Sequence, residues 1–185
     1  MATEILRPNG AGDETNIVSQ FPDSTSHWDK VDDVISDDDT TYIYQNKDSN
    51  IFRDLYTIES SEIGVGIINS ITVYFRCKNT LGNYPTSFLA GASLKSDTTV
   101  SDKDLIGLTS TEYTNLFETW TINPDTSSAW NWADIASLQI GVRLKGNAYP
   151  TFTACSQVYV EIDYTEASST LTGVSTIQGI NTITL

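Results

Sequence analysis

Two alternating segments within and around the stretch from Leu138 to Val160 decide the fold. They read Ser137-Leu138-Gln139-Ile140-Gly141-Val142-Arg143-Leu144-Lys145 and Gln157-Val158-Tyr159-Val160-Glu161-Ile162-Asp163-Tyr164. Successive side chains of a β-strand point to opposite faces, so an apolar residue at every second position indicates one buried and one solvent-facing side. We therefore expect both segments to be strands of antiparallel sheets.

The rest of the chain repeats this pattern with turn-forming residues between the segments. A short edge strand is predicted at residues 4–6, a loop at 8–13, a helical turn at 129–135, and further strands at 41–44, 51–58, 67–78, 87–95 and 112–122. Many short strands with almost no amphipathic helix are typical of an all-β fold. We predict an antiparallel two-sheet β-sandwich of the jelly-roll type over residues 1–164. Residues 165–185 form a linker and an extended C-terminal tail.

The charge of the chain restricts its partners. Asp and Glu number 24 against 10 Lys and Arg, which gives a formal charge of −14. Such a surface repels phosphate backbones and anionic lipid heads, so we expect neither nucleic acid nor membrane as a partner. The first residues lack the basic and apolar regions of a secretory signal, so we expect synthesis in the cytoplasm without a signal peptide.

Two cysteines, Cys77 and Cys155, are present. Alternation places Cys77 on an inward face with Val73 and Phe75, but Cys155 on the solvent face with Gln157. Unless a bulge shifts the phase of one strand, the two side chains face apart and remain free thiols.

The acidic run Asp37-Asp38-Asp39 is the first candidate site. Calcium prefers six to eight oxygen ligands, and a loop rich in carboxylates and carbonyls supplies them, so these three residues are candidate calcium ligands. A solvated acidic loop is the alternative, because charge runs usually face water.

Aromatic residues form the second candidate site, which comprises Trp120, Trp130, Trp132, Tyr149 and Phe152. Flat rings on a loop or sandwich face can stack on sugar rings. The alternative is that the tryptophans pack in the core, since Trp is highly buried on average.

No catalytic constellation stands out, and we predict that the protein is not an enzyme. His27 is the single histidine, and we expect it in a surface loop. The sequence has no nucleophile elbow, phosphate-binding loop or pair of zinc ligands. A glycosidase needs only two carboxylates, so this activity stays an open alternative, although the sequence pattern points to no particular pair of acidic residues.

The C-terminal tail is uncharged and contains two similar six-residue units, Gly173–Gln178 and Gly179–Thr184. Each has Gly first, Thr fourth and Ile fifth. An exposed β-branched segment tends to pair with other chains, so Val174, Ile177, Ile180 and Ile183 are candidate assembly residues. The alternatives are a strand folded back on its own domain and a disordered end.

Two resemblances add to this interpretation. Residues 37–42, Asp54-Leu55-Tyr56 and the strand at 71–75 resemble the opening of galactose-binding-type (discoidin-like) jelly rolls. Most of residues 3–164 also resembles uncharacterised β-sandwich structural proteins of tailed phages and prophages. The motifs shared with that group lie at 5–8, 120–124 and 129–135.

These observations lead to two hypotheses about function. The first is a non-enzymatic structural module of a virion or similar extracellular assembly, which contacts copies of itself or other virion proteins through its tail. The alternative is a carbohydrate-binding module with a calcium-stabilised loop and a surface glycan as its partner.

Overall fold

The computed structural model describes residues 1–24, 26–47, 50–147 and 150–167, and this part of the chain is mainly strand. The 3₁₀ turn His27–Lys30 and the short helix α1 (Trp132–Ile135) interrupt the strands. The strands are β1 (Ala2–Leu6), β2 (Pro8–Thr15), β3 (Ser19–Phe21), β4 (Tyr42–Gln45), β5 (Ile51–Ile58), β6 (Ile67–Asn79), β7 (Leu89–Ser96), β8 (Thr99–Asp102), β9 (Ile106–Gly107), β10 (Thr114–Trp120), β11 (Gln139–Lys145) and β12 (Thr153–Thr165).

The strands form two antiparallel sheets. The first sheet has the order β10-β6-β12-β4-β3, and β1 pairs with the part of β12 that β4 does not reach. The second sheet has the order β2-β5-β11-β7-β8, and β9 pairs with β7. From β4 to β7, and again from β10 to β12, successive strands alternate between the sheets, as in a jelly roll. The predicted antiparallel jelly-roll sandwich is confirmed.

The two segments that predicted the fold are central strands of opposite sheets. β11 lies between β5 and β7 of the second sheet, whereas β12 pairs with β6, β4 and β1 of the first. Their inward side chains, including Ile140, Val142, Val158 and Val160, are fully buried between the sheets. The chain between β11 and β12 therefore crosses the sandwich and does not form a hairpin.

Residues 8–13, predicted as a loop, belong to strand β2. Pro8 begins this strand, and β2 is an edge strand, so the missing N–H of proline is tolerated. The pairing of β2 with β5 shifts register between Ala11 and Thr15, which marks a bulge. A Cβ on Gly12 would lie 2.6 Å from the Leu55 carbonyl oxygen, so the close approach of the bulge requires glycine. The loop prediction was wrong because these turn-forming residues form the bulge of an edge strand. The short strands β8 and β9 were not predicted either.

A second bulge, in β12, changes the position of Cys155. The pairing of β12 with β6 shifts between Cys155 and Gln157, and Cys155 stands opposite Cys77 in the register. Both thiols are free and completely buried. The prediction that Cys155 faces solvent was wrong, because the extra residue reverses the phase of the strand.

The predicted helical turn before β11 is confirmed as α1. The Asn131 side chain accepts hydrogen bonds from the backbone N–H groups of Ala133 and Asp134, and the Asp134 side chain bonds back to the Asn131 N–H. In the part of the chain that the structure describes, no helix has both the length and the apolar character needed to span a lipid bilayer.

Candidate functional site

Two of the predicted ligand-binding tryptophans lie in the core. Trp120 and Trp130 are 5% and 4% exposed, so their faces are not available for stacking on a ligand at the surface. The Trp120 indole N–H donates to Ser101 Oγ at 2.9 Å, and the Trp130 indole N–H donates to the Trp120 carbonyl at 3.1 Å. This corrects the assignment of both residues, because each ring fills the interior while its one polar atom has a protein acceptor.

Trp132 also packs against the core, although it is only partly buried. Its indole N–H donates to the Gly66 carbonyl at 3.1 Å, and its ring meets Tyr164 edge to face. Trp132 therefore closes one end of the sandwich. Tyr149, the fourth predicted residue, lies outside the described residues.

The predicted calcium ligands contact basic residues of β6. The Asp38 carboxylate accepts two hydrogen bonds from the Arg76 guanidinium, at 2.6 and 2.8 Å, and Asp39 forms an ion pair with Lys78. Asp37 accepts hydrogen bonds from the backbone and the hydroxyl of Thr41. The three carboxylates thus bind different partners, because the chain turns at Asp38 and Asp39, where the φ of Asp38 is 53° and the Thr40 N–H donates to the Asp37 carbonyl.

Within the described ranges, no group of three or more His, Cys, Asp or Glu side chains is placed to hold a metal ion. Asp33 lies close to Asp37 through the shared hydroxyl of Thr41. Burial, and then the nearby charge of Asp37, raise the pKa of Asp33. Calcium binding by this loop stays a prediction.

Val174, Ile177, Ile180 and Ile183, the predicted assembly residues, all lie outside the described residues.

The outer face of the first sheet carries three aromatic side chains in one line across its strands. Phe117 of β10 stands opposite Tyr74 of β6, and Tyr74 stands opposite Tyr159 of β12. The Tyr74 and Tyr159 rings are stacked, with centroids 4.8 Å apart and planes 9° apart, and the Phe117 centroid lies 5.6 Å from that of Tyr74. Phe117 is 60% exposed. We call these three residues the aromatic row.

Hydrogen-bonding side chains lie on both sides of the aromatic row. On one side, the hydroxyls of Thr72 and Thr119 are 3.0 Å apart across β6 and β10, and Glu161 accepts a 3.5 Å hydrogen bond from the Tyr74 hydroxyl. On the other side, the Arg76 guanidinium donates to Asn115 Oδ1 at 3.0 Å. Apolar rings bordered by donors and acceptors provide both kinds of contact that a polyhydroxylated molecule requires.

The acidic loop forms a wall beside the aromatic row. Its Asp38 is held by Arg76, which is the next outward residue of β6 after Tyr74. The Tyr113 ring lies beneath the ammonium of Lys78, 4.5 Å from its centroid, and 5.7 Å from the guanidinium carbon of Arg76. The run Asp37–Asp39, predicted to bind calcium, therefore lies beside the aromatic row. Ion pairs from Asp38 and Asp39 attach it to β6.

Electrostatics keep the groups of this face in defined states. The hydrogen bonds from Arg76 lower the pKa of Asp38, so this carboxylate stays ionised. Burial, and then the charge of Glu161, raise the pKa of Tyr74 and of Tyr159, so both phenols stay neutral and can donate hydrogen bonds. Arg7 lies 5.3 Å over the Tyr159 ring and covers the end of the aromatic row opposite to Phe117.

A second aromatic group extends the apolar character of this face toward its other edge. The Tyr42 ring is stacked between Phe21 and Phe152, with centroid distances of 5.3 and 6.1 Å. Phe21 lies on the edge strand β3 and is 47% exposed. Both edges of the first sheet thus present an exposed phenylalanine.

Alternation in the sequence already contained the signal for the aromatic row. Tyr74 occupies an outward position of its predicted strand, and Tyr159 alternates with the inward residues Val158 and Val160. The tryptophans were predicted because flat rings can stack on sugars, but Trp120 and Trp130 fill the core, as the alternative interpretation expected. Phe117 and Tyr159 both contact Tyr74 because β10, β6 and β12 are adjacent strands, and the local sequence pattern does not predict this strand order.

The comparisons with known proteins give distant structural likenesses. No protein-family model matches the chain, and neither does any curated protein. A structure of the carbohydrate-binding module TmCBM61 with beta-1,4-galactotriose covers 65% of this chain and 70% of its own, at TM-score 0.39 and 11% identity. The N-terminal cellulose-binding domain of a Cellulomonas fimi beta-1,4-glucanase covers 70% and 80%, at TM-score 0.35 and 13% identity.

An enzymatically active domain of a bacteriophage CBA120 tailspike protein is also similar, at TM-score 0.39 and 14% identity. It covers 85% of this chain but 19% of its own. With likenesses as distant as these, function has to be inferred from the side chains of this chain.

Proposed function

We propose that the protein is a non-catalytic glycan-binding module whose binding face is the outer surface of the first sheet, centred on the aromatic row. The observation that carries this proposal is the exposure of Phe117 in register with Tyr74 and Tyr159. An exposed apolar ring beside two stacked tyrosines is unfavourable in water, and such surfaces commonly bind a ligand or partner.

The chemistry of this face suits a neutral saccharide. The C–H groups of a sugar ring form an apolar patch that packs on an aromatic side chain, while its hydroxyls need donors and acceptors at the edge. Phe117 supplies the ring, and Thr119, Glu161 and Asn115 supply polar groups along the aromatic row. The formal charge of −14 disfavours polyanionic glycans.

A glycan array followed by calorimetric titration tests the proposal. We expect the full chain to bind one or more neutral oligosaccharides and Phe117→Ala to weaken binding about tenfold, since an aromatic contact contributes about 1 kcal/mol beyond its buried area. The matched control is Tyr84→Ala, which removes a ring that is 52% exposed in the loop between β6 and β7 and does not belong to the aromatic row. An array without neutral binders, or equal weakening by both variants, would contradict the proposal.

The assembly role is a second candidate, because an exposed apolar patch lies where the described chain ends. Val65 and Ile67 are 61% and 70% exposed. Gly66 between them packs against the end of β12, since a Cβ on Gly66 would lie 2.4 Å from the Thr165 carbonyl oxygen. Residues 167–185, which follow this point, contain no charged side chain. Apolar surface next to an uncharged segment favours contact between copies, as expected of a virion module.

Light scattering after size exclusion distinguishes the two roles. If the tail mediates assembly, the full chain forms oligomers, whereas a chain ending at Thr165 is monomeric. A Val65→Ser, Ile67→Ser variant of the full chain should dissociate likewise if the patch is part of the contact. Monomers in all three cases would contradict the assembly role without affecting the glycan proposal.

A further inference from the structure

A small cavity opens at the side of the sandwich, away from the outer face of the first sheet. It has a volume of about 230 Å³ and is lined by Ala11, Thr15, Gln20, Ser26, His27, Trp28 and Tyr56. Its walls come from β2 and β3, which are the edge strands of the two sheets, from β5 and from the 3₁₀ turn. The cavity therefore lies where the two sheets leave the interior uncovered, and the 3₁₀ turn closes it in part.

A buried carboxylate lies behind this cavity. Asp54 points inward from β5 and has no exposed surface. Its Oδ1 accepts the Ile17 N–H at 2.8 Å, and its Oδ2 lies 2.6 Å from His27 Nδ1 and 3.2 Å from the Tyr56 hydroxyl. Taking a carboxylate out of water costs several kcal/mol unless its partners are well placed. Here those partners include two side chains that line the cavity.

The contact with Asp54 orients the imidazole of His27. His27 lies in the 3₁₀ turn between β3 and β4, and its side chain is 15% exposed, so it is more buried than the expected surface-loop position. Nδ1 is bonded to Asp54, and within the described part of the chain Nε2 has no hydrogen-bond partner, so Nε2 is the ring nitrogen that can contact a bound molecule. A carboxylate behind an imidazole fixes the ring orientation and its tautomer, as it does for histidines that bind metals or substrates.

The lining determines the class of ligand. Thr15, Gln20 and Ser26 bring uncharged hydrogen-bonding groups, His27 brings its imidazole, and Trp28 adds an aromatic ring. None of the described lining residues is Lys or Arg, and the buried carboxylate of Asp54 lies behind His27, so the cavity disfavours phosphate and sulfate. The volume is below the range of about 300–1,000 Å³ typical for drug-sized ligands.

We propose that this cavity is a second binding site, independent of the aromatic row, for a single neutral sugar ring. The ring packs on Trp28, and its hydroxyls bond to His27 Nε2 and to the neighbouring Thr, Ser and Gln side chains. Asp54 is a positioning residue, which acts on the ligand through His27.

Nuclear magnetic resonance of the tryptophan indole N–H groups tests this site in the full chain. The probes are D-glucose, D-galactose, D-mannose and N-acetyl-D-glucosamine, each added singly, with sodium phosphate as the anion control. The signal that is lost in Trp28→Phe is assigned to Trp28. We expect at least one sugar to shift this signal in a saturable way, whereas phosphate leaves it unchanged. His27→Ala should weaken this binding about tenfold, as expected for the loss of one buried hydrogen bond.

Phe117→Ala separates this site from the aromatic row, because it should leave the monosaccharide titration unchanged while it weakens oligosaccharide binding. The Asp54→Asn variant tests positioning: it should weaken the sugar titration while the other three indole signals keep their positions. No saturable shift with any of the four sugars would overturn the inference. A shift with phosphate, or a sugar shift that His27→Ala leaves intact, would overturn it as well.

Discussion

At the scale of single residues, Gln45 is a polar side chain with an unfavourable position. It is completely buried in β4, and neither amide atom has a hydrogen-bond partner among the residues that the structure describes. Burying an amide without a partner costs about 1–3 kcal/mol. Gln45→Met keeps the length of the side chain and removes both polar atoms, so we expect the free energy of unfolding to rise by about 1–2 kcal/mol in urea titrations. A decrease would mean that a buried water bonds the amide.

Asp38 gives a pH-dependent prediction at the same scale. The hydrogen bonds from Arg76 lower its folded-state pKa, so its contribution to stability is present above the unfolded value of about 3.9 and is lost as the pH falls through the folded value. Asn suits the left-handed φ of 53° at this position. We expect Asp38→Asn to lower the free energy of unfolding by about 0.5–1 kcal/mol at pH 7, since the side chain is 37% exposed.

Urea titrations at pH 7, 5, 4 and 3 measure this difference, which should be constant down to about pH 5 and shrink below about pH 4. The matched control is Asp39→Asn, which removes a carboxylate that is 71% exposed and should change stability less at every pH. A difference that grows toward acid pH would mean that the Asp38–Arg76 pair does not stabilise the fold.

At the scale of elements, the bulge in β12 determines the state of the two cysteines. By reversing the phase of the strand it places Cys155 beside Cys77 in the core. Burial raises the pKa of Cys77 well above its ordinary value, and a buried thiol reacts slowly. We expect Ellman's reagent to detect less than about a tenth of a thiol per chain within minutes at pH 8, and both thiols in guanidinium chloride. Rapid reaction of one native thiol would show that Cys155 faces solvent.

At the scale of the whole molecule, the excess of 24 acidic over 10 basic residues makes the folded chain repel itself. Screening by salt weakens this repulsion, so we expect the melting temperature to rise by a few degrees between 10 and 200 mM NaCl. Calcium chloride at equal ionic strength separates screening from specific binding. An extra rise with calcium, absent in Asp37→Asn, would support the predicted calcium site. Equal curves in both salts would contradict it.

Local sequence pattern determined much of the architecture. The alternation in β6, β7, β11 and β12 predicted strands and their buried faces, because the side-chain period of a strand is a local property. The excess of acidic residues is a property of composition, and the Asn131–Asp134 cap involves residues only three positions apart, so neither depends on tertiary structure. The same alternation placed Tyr74 and Tyr159 on the outward side of their strands.

Tertiary structure decided which of these residues meet. One extra residue in β12 moved Cys155 inward, and strand order brought Phe117, Tyr74 and Tyr159 into one row. Arg76 lies 38 positions from Asp38 in sequence, and Ile17 and His27 lie 37 and 27 positions from Asp54. Such contacts depend on register and on the packing of the two sheets. The sequence by itself therefore determined the sandwich and its inward faces, whereas only the assembled sheets determined the candidate binding sites.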